Sequence, residues 1–247
     1  MTFAANGQTT TYLAEYSQDI QWGSANLERR YGARYALTGL GDGGRQVSVR
    51  LDSLGVVVST PHGRQVLDTR HLVGSEAEMA ISGRGGIPLY ADSFPVFEMN
   101  GVLEGEVPLS RLMNYGFPDL PDRPVQVGDS WTTHSSRPQI EAHLHLTANL
   151  TTEYRFEGWE TVDGVDCVRI EGHMVGEMTT RGQIRYGVSH DYTGTLQGSL
   201  TWFFDPSTGT LVGMTGEESS DGVMTTETAE TPIKQYTQIQ IGLAEGR

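Results

Sequence analysis

The chain has one cysteine, one lysine and no strongly basic tract among its 247 residues. A single thiol, Cys167, excludes an internal disulfide framework and a cysteine-based zinc site. Within the apolar run Val165–Ile170 it reads as a small, inert core residue. No apolar run approaches the ~20 residues of a helical membrane span. Positive charge is scarce: 17 bases face 31 acids, the net charge is −14, and no basic run exceeds Arg29-Arg30. The stretch Asp205–Glu230 holds acids and no base. Such a chain repels phosphate backbones and anionic lipid surfaces, which excludes nucleic acid as a partner. There is no G-x-S-x-G, glycine-rich phosphate loop, H-E-x-x-H or cysteine–histidine pairing, so no catalytic residue and no cofactor is expected. Met1–Thr11 is polar, without the apolar core of a signal peptide; an exported protein would be seen here in its mature form.

What the chain has in quantity is alternation. From Ala142 to Phe156 the even positions carry Ala142, Leu144, Leu146, Ala148, Leu150, Thr152, Tyr154 and Phe156, and the odd ones His143, His145, Glu153 and Arg155 among other polar residues. From Ile184 to Phe204 the even set again holds the apolar side chains, including Tyr192, Leu196, Leu200 and Trp202. Successive side chains of a strand point to opposite faces, so this pattern predicts long strands with one face buried and one wet. The N-terminal half follows the same grammar: Tyr12, Ala14, Tyr16, Ile20 and Trp22 share a parity, as do Tyr31, Ala33, Tyr35 and Leu37, then Val47, Val49 and Leu51. Turns are expected at Gly41–Gly44, Pro61–Gly63, Gly83–Gly86, Asp163-Gly164, Asp205–Gly209 and Ser220–Gly222. Asp163-Gly164 between two alternating runs is a type I′ hairpin signal.

The expected fold is therefore all-β: a large antiparallel sheet, a curved half-barrel or open barrel, with little helix. The stretch Asp92–Asp129 breaks the pattern with Pro95, Pro108, Pro118, Pro121 and Pro124. Proline donates nothing to a ladder, so this stretch reads as a crossover or lid, with a short helix over Pro108–Met113. One all-β domain over residues 1–247 is the expected organisation, since sandwiches and barrels of this length occur as single units, with two domains hinged near Pro118–Pro124 as the alternative.

Phe117-Pro-Asp-Leu-Pro-Asp-Arg-Pro-Val-Gln-Val-Gly-Asp-Ser-Trp131 resembles the LP-x-x-PV-x-VGDSW signature of a bacterial cell-envelope family of unknown function. The stretches Leu72–Ser82 and Gly198–Gly213, the latter with a strand–FDP-x-TG–strand hairpin, are similar to that family too. The layout also resembles the half-barrels of the LolA and LppX type, which carry lipids or lipoproteins on a concave apolar face. These resemblances imply an exported protein of the periplasm or outer envelope, with a lipid anchor on a removed N-terminal segment as one arrangement. No catalytic residue comes with them.

Read from its residues, Phe117–Trp131 is a structural clasp. Pro118, Pro121 and Pro124 stiffen the approach, Val125 and Val127 share a face, Gly128-Asp129 turns the chain, and Trp131 enters the core. Gly128-Asp129-Ser130 also resembles the nucleophile block of GDS-type esterases, with Asp68–His71 at D-x-x-H spacing. The order along the chain and the absence of an α/β pattern both disagree with that reading. Glu141, His143, His145, Glu171 and His173 could face one another if their strands pair, which would hold zinc or copper; a polar wet face is the simpler account. Glu217, Glu218 and Asp221 match no calcium loop. Trp22, Phe94, Phe97, Leu112, Met113 and Trp159 are the candidates for lining a hydrophobic ligand site, against the alternative that such residues are core.

The sequence thus points to a non-catalytic envelope protein that binds a hydrophobic molecule or an envelope partner on a concave sheet face. The alternatives are an accessory subunit docking on a larger assembly, and third a hydrolase using Ser130.

Overall fold

In a computed structural model the described residues are 9–40, 46–80, 117–141, 144–184 and 188–244. They form one antiparallel sheet. Its strands are β1 (Thr9–Trp22), β2 (Ala25–Leu40), β3 (Gln46–Thr60), β4 (Gly63–Val66), β5 (Glu76–Ala80), β6 (Ser130–Glu141), β7 (Leu144–Val162), β8 (Val165–Ile184), β9 (Val188–Asp205), β10 (Thr210–Thr225) and β11 (Glu230–Leu243). The order across the sheet is β4-β3-β2-β1-β11-β10-β9-β8-β7-β6, with β5 pairing β3 beside β4. Two meanders of hairpins are thus joined by the pairing of β1 with β11, from Tyr12↔Leu243 to Trp22↔Ile233. The sheet does not close into a barrel: β4 and β6 end the order unpaired with each other. Among the described residues the only helical element is a 3-10 turn, Arg70–Leu72. The described part of the proline-rich crossover, 117–129, contains no strand; the helix expected over Pro108–Met113 lies outside the described residues.

Alternation decides which face is buried. Leu150, Tyr154, Phe156, Tyr192, Leu196, Leu200, Trp202 and Phe204 are all buried, while Glu153 and Arg155 are exposed. Tyr12, Ala14, Tyr16, Tyr31, Ala33, Tyr35, Val47, Val49 and Leu51 continue the same inner face across β1–β3. A one-residue slip would have inverted the whole set. The side chains of Leu144, Leu146, Ile184 and His145 lie outside the described residues.

Departures from strict period two have local causes. Bulges at Arg34/Tyr35, Phe156/Gly158 and Leu211/Gly213 let neighbours such as Leu211 and Val212 both be buried. Turn chemistry accounts for the hairpins: Asp163 (φ 50°) and Gly164 (φ 79°) form the type I′ turn that these residue types favour. In the β9–β10 turn Asp205 accepts from the Ser207 backbone N–H (2.8 Å), while Gly209 donates to the Asp205 carbonyl (2.9 Å). Ser220-Asp221-Gly222 is not a turn; it lies within β10, and the chain reverses later, at Thr226–Ala229.

Glycine occupies inner-face positions for a packing reason. On β8, β9 and β10 it alternates with large residues, and the register sets Gly172 opposite Leu200, Gly176 opposite Leu196 and Gly198 opposite Met174. A Cβ at Gly172 would stand 2.7 Å from the Trp202 ring, and one at Gly194 2.5 Å from the Tyr192 hydroxyl. The large side chains therefore lie flat over their glycine neighbours, which keeps the inner layer thin.

Candidate functional site: a clasp and a groove across the strands

The clasp is built as a short chain of contacts. Gln126–Asp129 is a type II turn, with Asp129 N donating to Gln126 O at 3.0 Å and Gly128 at φ 90°, which favours glycine there. The turn docks on β7 through Gly128 N to Phe156 O (2.8 Å) and Phe156 N to Asp129 O (3.0 Å). The Asp129 carboxylate accepts from Gln126 N (3.1 Å) and from the Arg123 guanidinium (3.0 Å), and that backbone N–H, with Arg123, holds its pKa below the usual range. Trp131 stacks on Tyr154 (5.4 Å between rings, 9° apart), and Tyr154 leans on Trp202 at 5.6 Å. The Trp131 indole donates to Asp119 O at 2.7 Å, which ties both ends of the crossover's last stretch together. Pro121 and Pro124 lie in the stretch between these anchors. Val125 packs on the core, but Val127 does not share its face; as a central turn residue it is 55% exposed.

Ser130 opens β6, and its side chain is exposed, with no hydrogen bond to any described residue. Asp68 is paired with Arg70 (2.6 Å) rather than with His71, and the segment holding both follows β4, at the other end of the strand order. The serine and the D-x-x-H pair are not joined into a relay.

The strands proposed to carry a histidine cluster do pair, and their register sets His145 far along the ladder from Glu171 and His173. His145 stands opposite Arg181, and Glu171 opposite Arg155. His173 faces Glu153 on one side and hydrogen-bonds Ser199 (3.3 Å) on the other. Glu171 is ion-paired with Arg169. His143 lies outside the described residues, among which no group of three or more metal-ligating side chains converges. Cys167 is fully buried, and burial pushes its thiol pKa up, as suits an inert core residue.

Of the aromatic candidates, Phe94, Phe97, Leu112 and Met113 lie outside the described residues. Trp22 is 36% exposed at the end of β1, and Trp159 is 63% exposed, edge-on to Phe156 at 6.4 Å. The row through Trp22 runs by Ile233, Gly222, Gly194 and Met178 to Ala148, far along β7 from Trp159. These two tryptophans sit at opposite ends of the sheet and do not share a site.

The feature that sequence reasoning missed is on the polar face. An open groove of about 850 Å³ crosses the strands there. Register places Gln197, Ser219, Tyr236, Asp19, Glu28 and Ser59 along one row, on β9, β10, β11, β1, β2 and β3. Thr195, Asp221, Lys234, Gln21 and Asn26 form the next row, two residues away along each strand. The groove is the trough between them. Lys234 pairs with Asp221 at 3.1 Å. The Tyr236 hydroxyl donates to Glu217 at 2.8 Å, and the carboxylate raises the phenol's pKa. Behind the groove the inner face turns polar as well: Gln18, Thr237, Glu218 and Ser220 are buried there, and the Arg29 guanidinium reaches Gln18 Oε1 at 3.4 Å. No sequence motif marks this groove, because its rows join residues from six strands.

No family model matches the chain, and no curated protein matches it in sequence. Among solved structures it is similar to a DUF1329 family protein from Desulfovibrio piger, with 12% identity, 97% of this chain and 88% of the other covered, and a TM-score of 0.22. It is similar to OpdK of Pseudomonas aeruginosa, solved with vanillate, at 8% identity, 98% and 100% coverage, and a TM-score of 0.26. OmpT, an outer membrane protein of Vibrio cholerae, gives 10% identity, 94% and 99% coverage, and a TM-score of 0.15. At such scores the likenesses carry no argument, and the meaning of the groove and the clasp rests on this chain's own residues.

Proposed function

We propose that the chain is a binding protein of the bacterial envelope, without chemistry of its own, that receives a partner in the groove across β9, β10, β11, β1, β2 and β3. The groove of about 850 Å³ carries this reading: it is within the size range of ligand sites, and its lining sets polar groups such as Asp19, Gln21, Asn26 and Tyr236 around apolar surface that includes Ile20, Leu27 and Pro61. The clasp serves as a structural lock, bringing the crossover onto β7 and β6, and Ser130 has no chemical role. The resemblance of Phe117–Trp131 to an envelope-family signature supports the location. A hydrophobic ligand on the inner face is the second reading, favoured by the exposed indoles of Trp22 and Trp159 at the two ends of the buried apolar surface.

Native mass spectrometry of protein purified from its own host tests both, run on wild type and on Ser219→Trp, which crowds the groove from one of its two rows. A bound species lost only from Ser219→Trp supports the groove. A lipid-sized molecule retained by both proteins favours the inner face. A bound macromolecule retained in full by Ser219→Trp overturns the groove reading.

A further inference from the structure

We infer that the groove takes an extended peptide segment bearing a lysine or arginine, and that Asp19 and the Tyr236 ring receive the cation. The inference rests on the groove being the binding site and adds the chemistry of its occupant.

Length is the first argument. Six adjacent strands span five spacings of ~4.8 Å, or ~24 Å, which is the reach of about seven residues of extended chain. A ligand lying in this trough is therefore long and narrow. Gln21, Asn26 and Gln197 line it with amide donors and acceptors, which suit the alternating N–H and C=O groups of a backbone.

Charge is the second. Asp19 and Glu28 are direct cross-strand partners and both face the groove. Like charges directly opposite one another destabilise a sheet, so each of the two acids calls for a cation of its own. Glu28 already holds Arg30, at 2.6 Å. Asp221 holds Lys234, the chain's only lysine. Asp19 makes no hydrogen bond or ion pair with any described residue. On its other side stands Tyr236, 38% exposed, its hydroxyl engaged by Glu217 and its ring left available. A carboxylate beside an aromatic face is a cation-binding arrangement, electrostatic from one side and cation–π from the other. An anionic occupant would meet Asp19, Glu28 and Asp221 with their one lining base already paired.

The test uses the full chain and three probes in calorimetric titrations: a heptapeptide alternating threonine and lysine, its threonine–glutamate counterpart, and spermidine. Asp19→Asn should weaken the lysine peptide by about tenfold, the loss of one charge-assisted contact. Ser219→Trp should weaken it at least as much. Glu15→Gln removes a carboxylate from the same face of the same strand, outside the groove and opposite Gly32 and Gln240, and should leave affinity within about twofold. The glutamate peptide should not bind. Asp19→Asn should also melt at a higher temperature than wild type, because it relieves the opposed acids, so lost binding could not be put down to misfolding. Equal weakening by Asp19→Asn and Glu15→Gln would mean diffuse attraction to an acidic protein and would overturn the proposal. So would spermidine binding as tightly as the peptide. If Ser219→Trp blocks both peptides alike, the groove stands and its cationic preference falls; if Ser219→Trp blocks neither, both fall.

Discussion

Alanine at Gly222 is the most direct test of how the inner face is packed. Its new Cβ would stand 2.5 Å from the Thr193 carbonyl oxygen and 2.6 Å from the Tyr192 hydroxyl. Neither neighbour can withdraw. The carbonyl belongs to the β9–β10 ladder, and the Tyr192 ring is already confined on its other side, where Gly194 leaves it the same narrow room. Overpacking a well-filled interior costs ~1–3 kcal/mol, and with a backbone atom among the obstacles the cost here falls near ~3 kcal/mol. Gly32 supplies the control. It lies inside β2, exposed, and a Cβ added there would meet nothing within 4 Å, so Gly32→Ala should stabilise by ~0.5–1 kcal/mol through backbone entropy alone. Urea melts read both, and the midpoint should move with the slope unchanged. Tyr192→Ala as a background divides the penalty: with the ring gone, only the carbonyl share remains, and the cycle should show ~1 kcal/mol or more of coupling. If Gly222→Ala melts within ~0.5 kcal/mol of wild type, or Gly32→Ala is as damaging, the flat-lying layer is wrong and the glycines serve some general purpose.

Other outcomes follow from the clasp and the charge. Trp131→Ala should cost ~3–5 kcal/mol by losing the stack on Tyr154 and stranding the Asp119 carbonyl, whereas Trp131→Phe should cost only ~1–2 kcal/mol, mainly the hydrogen bond; equal losses in denaturant melts would refute the division. Ser130→Ala should stay within ~0.5 kcal/mol of wild type, and an ester-hydrolysis assay should register no change; a rate abolished by this substitution would promote the hydrolase alternative. Asp129 has its folded pKa depressed, so its contribution is present above the ordinary carboxylate pKa and lost as pH falls through the folded value. Asp129→Asn should therefore flatten the acid limb of a stability–pH curve, and an unchanged limb would remove that role. Retention on heparin should be absent at moderate ionic strength, given the net charge of −14.

The strands were legible because side-chain parity is a property of adjacent residues, and one buried face writes itself directly into the chain. The type I′ turn at Asp163-Gly164 was legible because only certain residues tolerate positive φ. Ser220–Gly222 misled for the converse reason: glycine in a strand signals close packing as readily as a turn, and only the register shows Tyr192 beside it. Nothing next to Trp131 in the sequence marks Tyr154 as its stacking partner, and the exposure of Val127 was equally hidden, since it follows from its place in the type II turn. Register, set by hairpin geometry at Asp163-Gly164 rather than by the histidines' own spacing, decides which of them can meet, and it places His145 opposite Arg181 and His173 opposite Glu153. The groove was hidden altogether. Its acids and its tyrosine lie on strands remote in sequence, and their opposition exists only after β11 has paired with β1.

That last pairing governs how the molecule must assemble. The ladder from Tyr12↔Leu243 to Trp22↔Ile233 joins the first described strand to the last, the longest sequence separation of any ladder among the described residues. Among the described residues every other ladder closes locally, hairpin by hairpin or across β3 and β5. An emerging chain can therefore zip each meander as it appears, yet one edge of β1 stays open until the C-terminal strand arrives. The loop-closure entropy of that seam should set the slowest folding step and leave β1 the segment most exposed to mispairing. Loss of the final strand would uncover the edges of β1 and β10 together, leaving two half-sheets with unsatisfied backbone and a strong tendency to find it in another molecule.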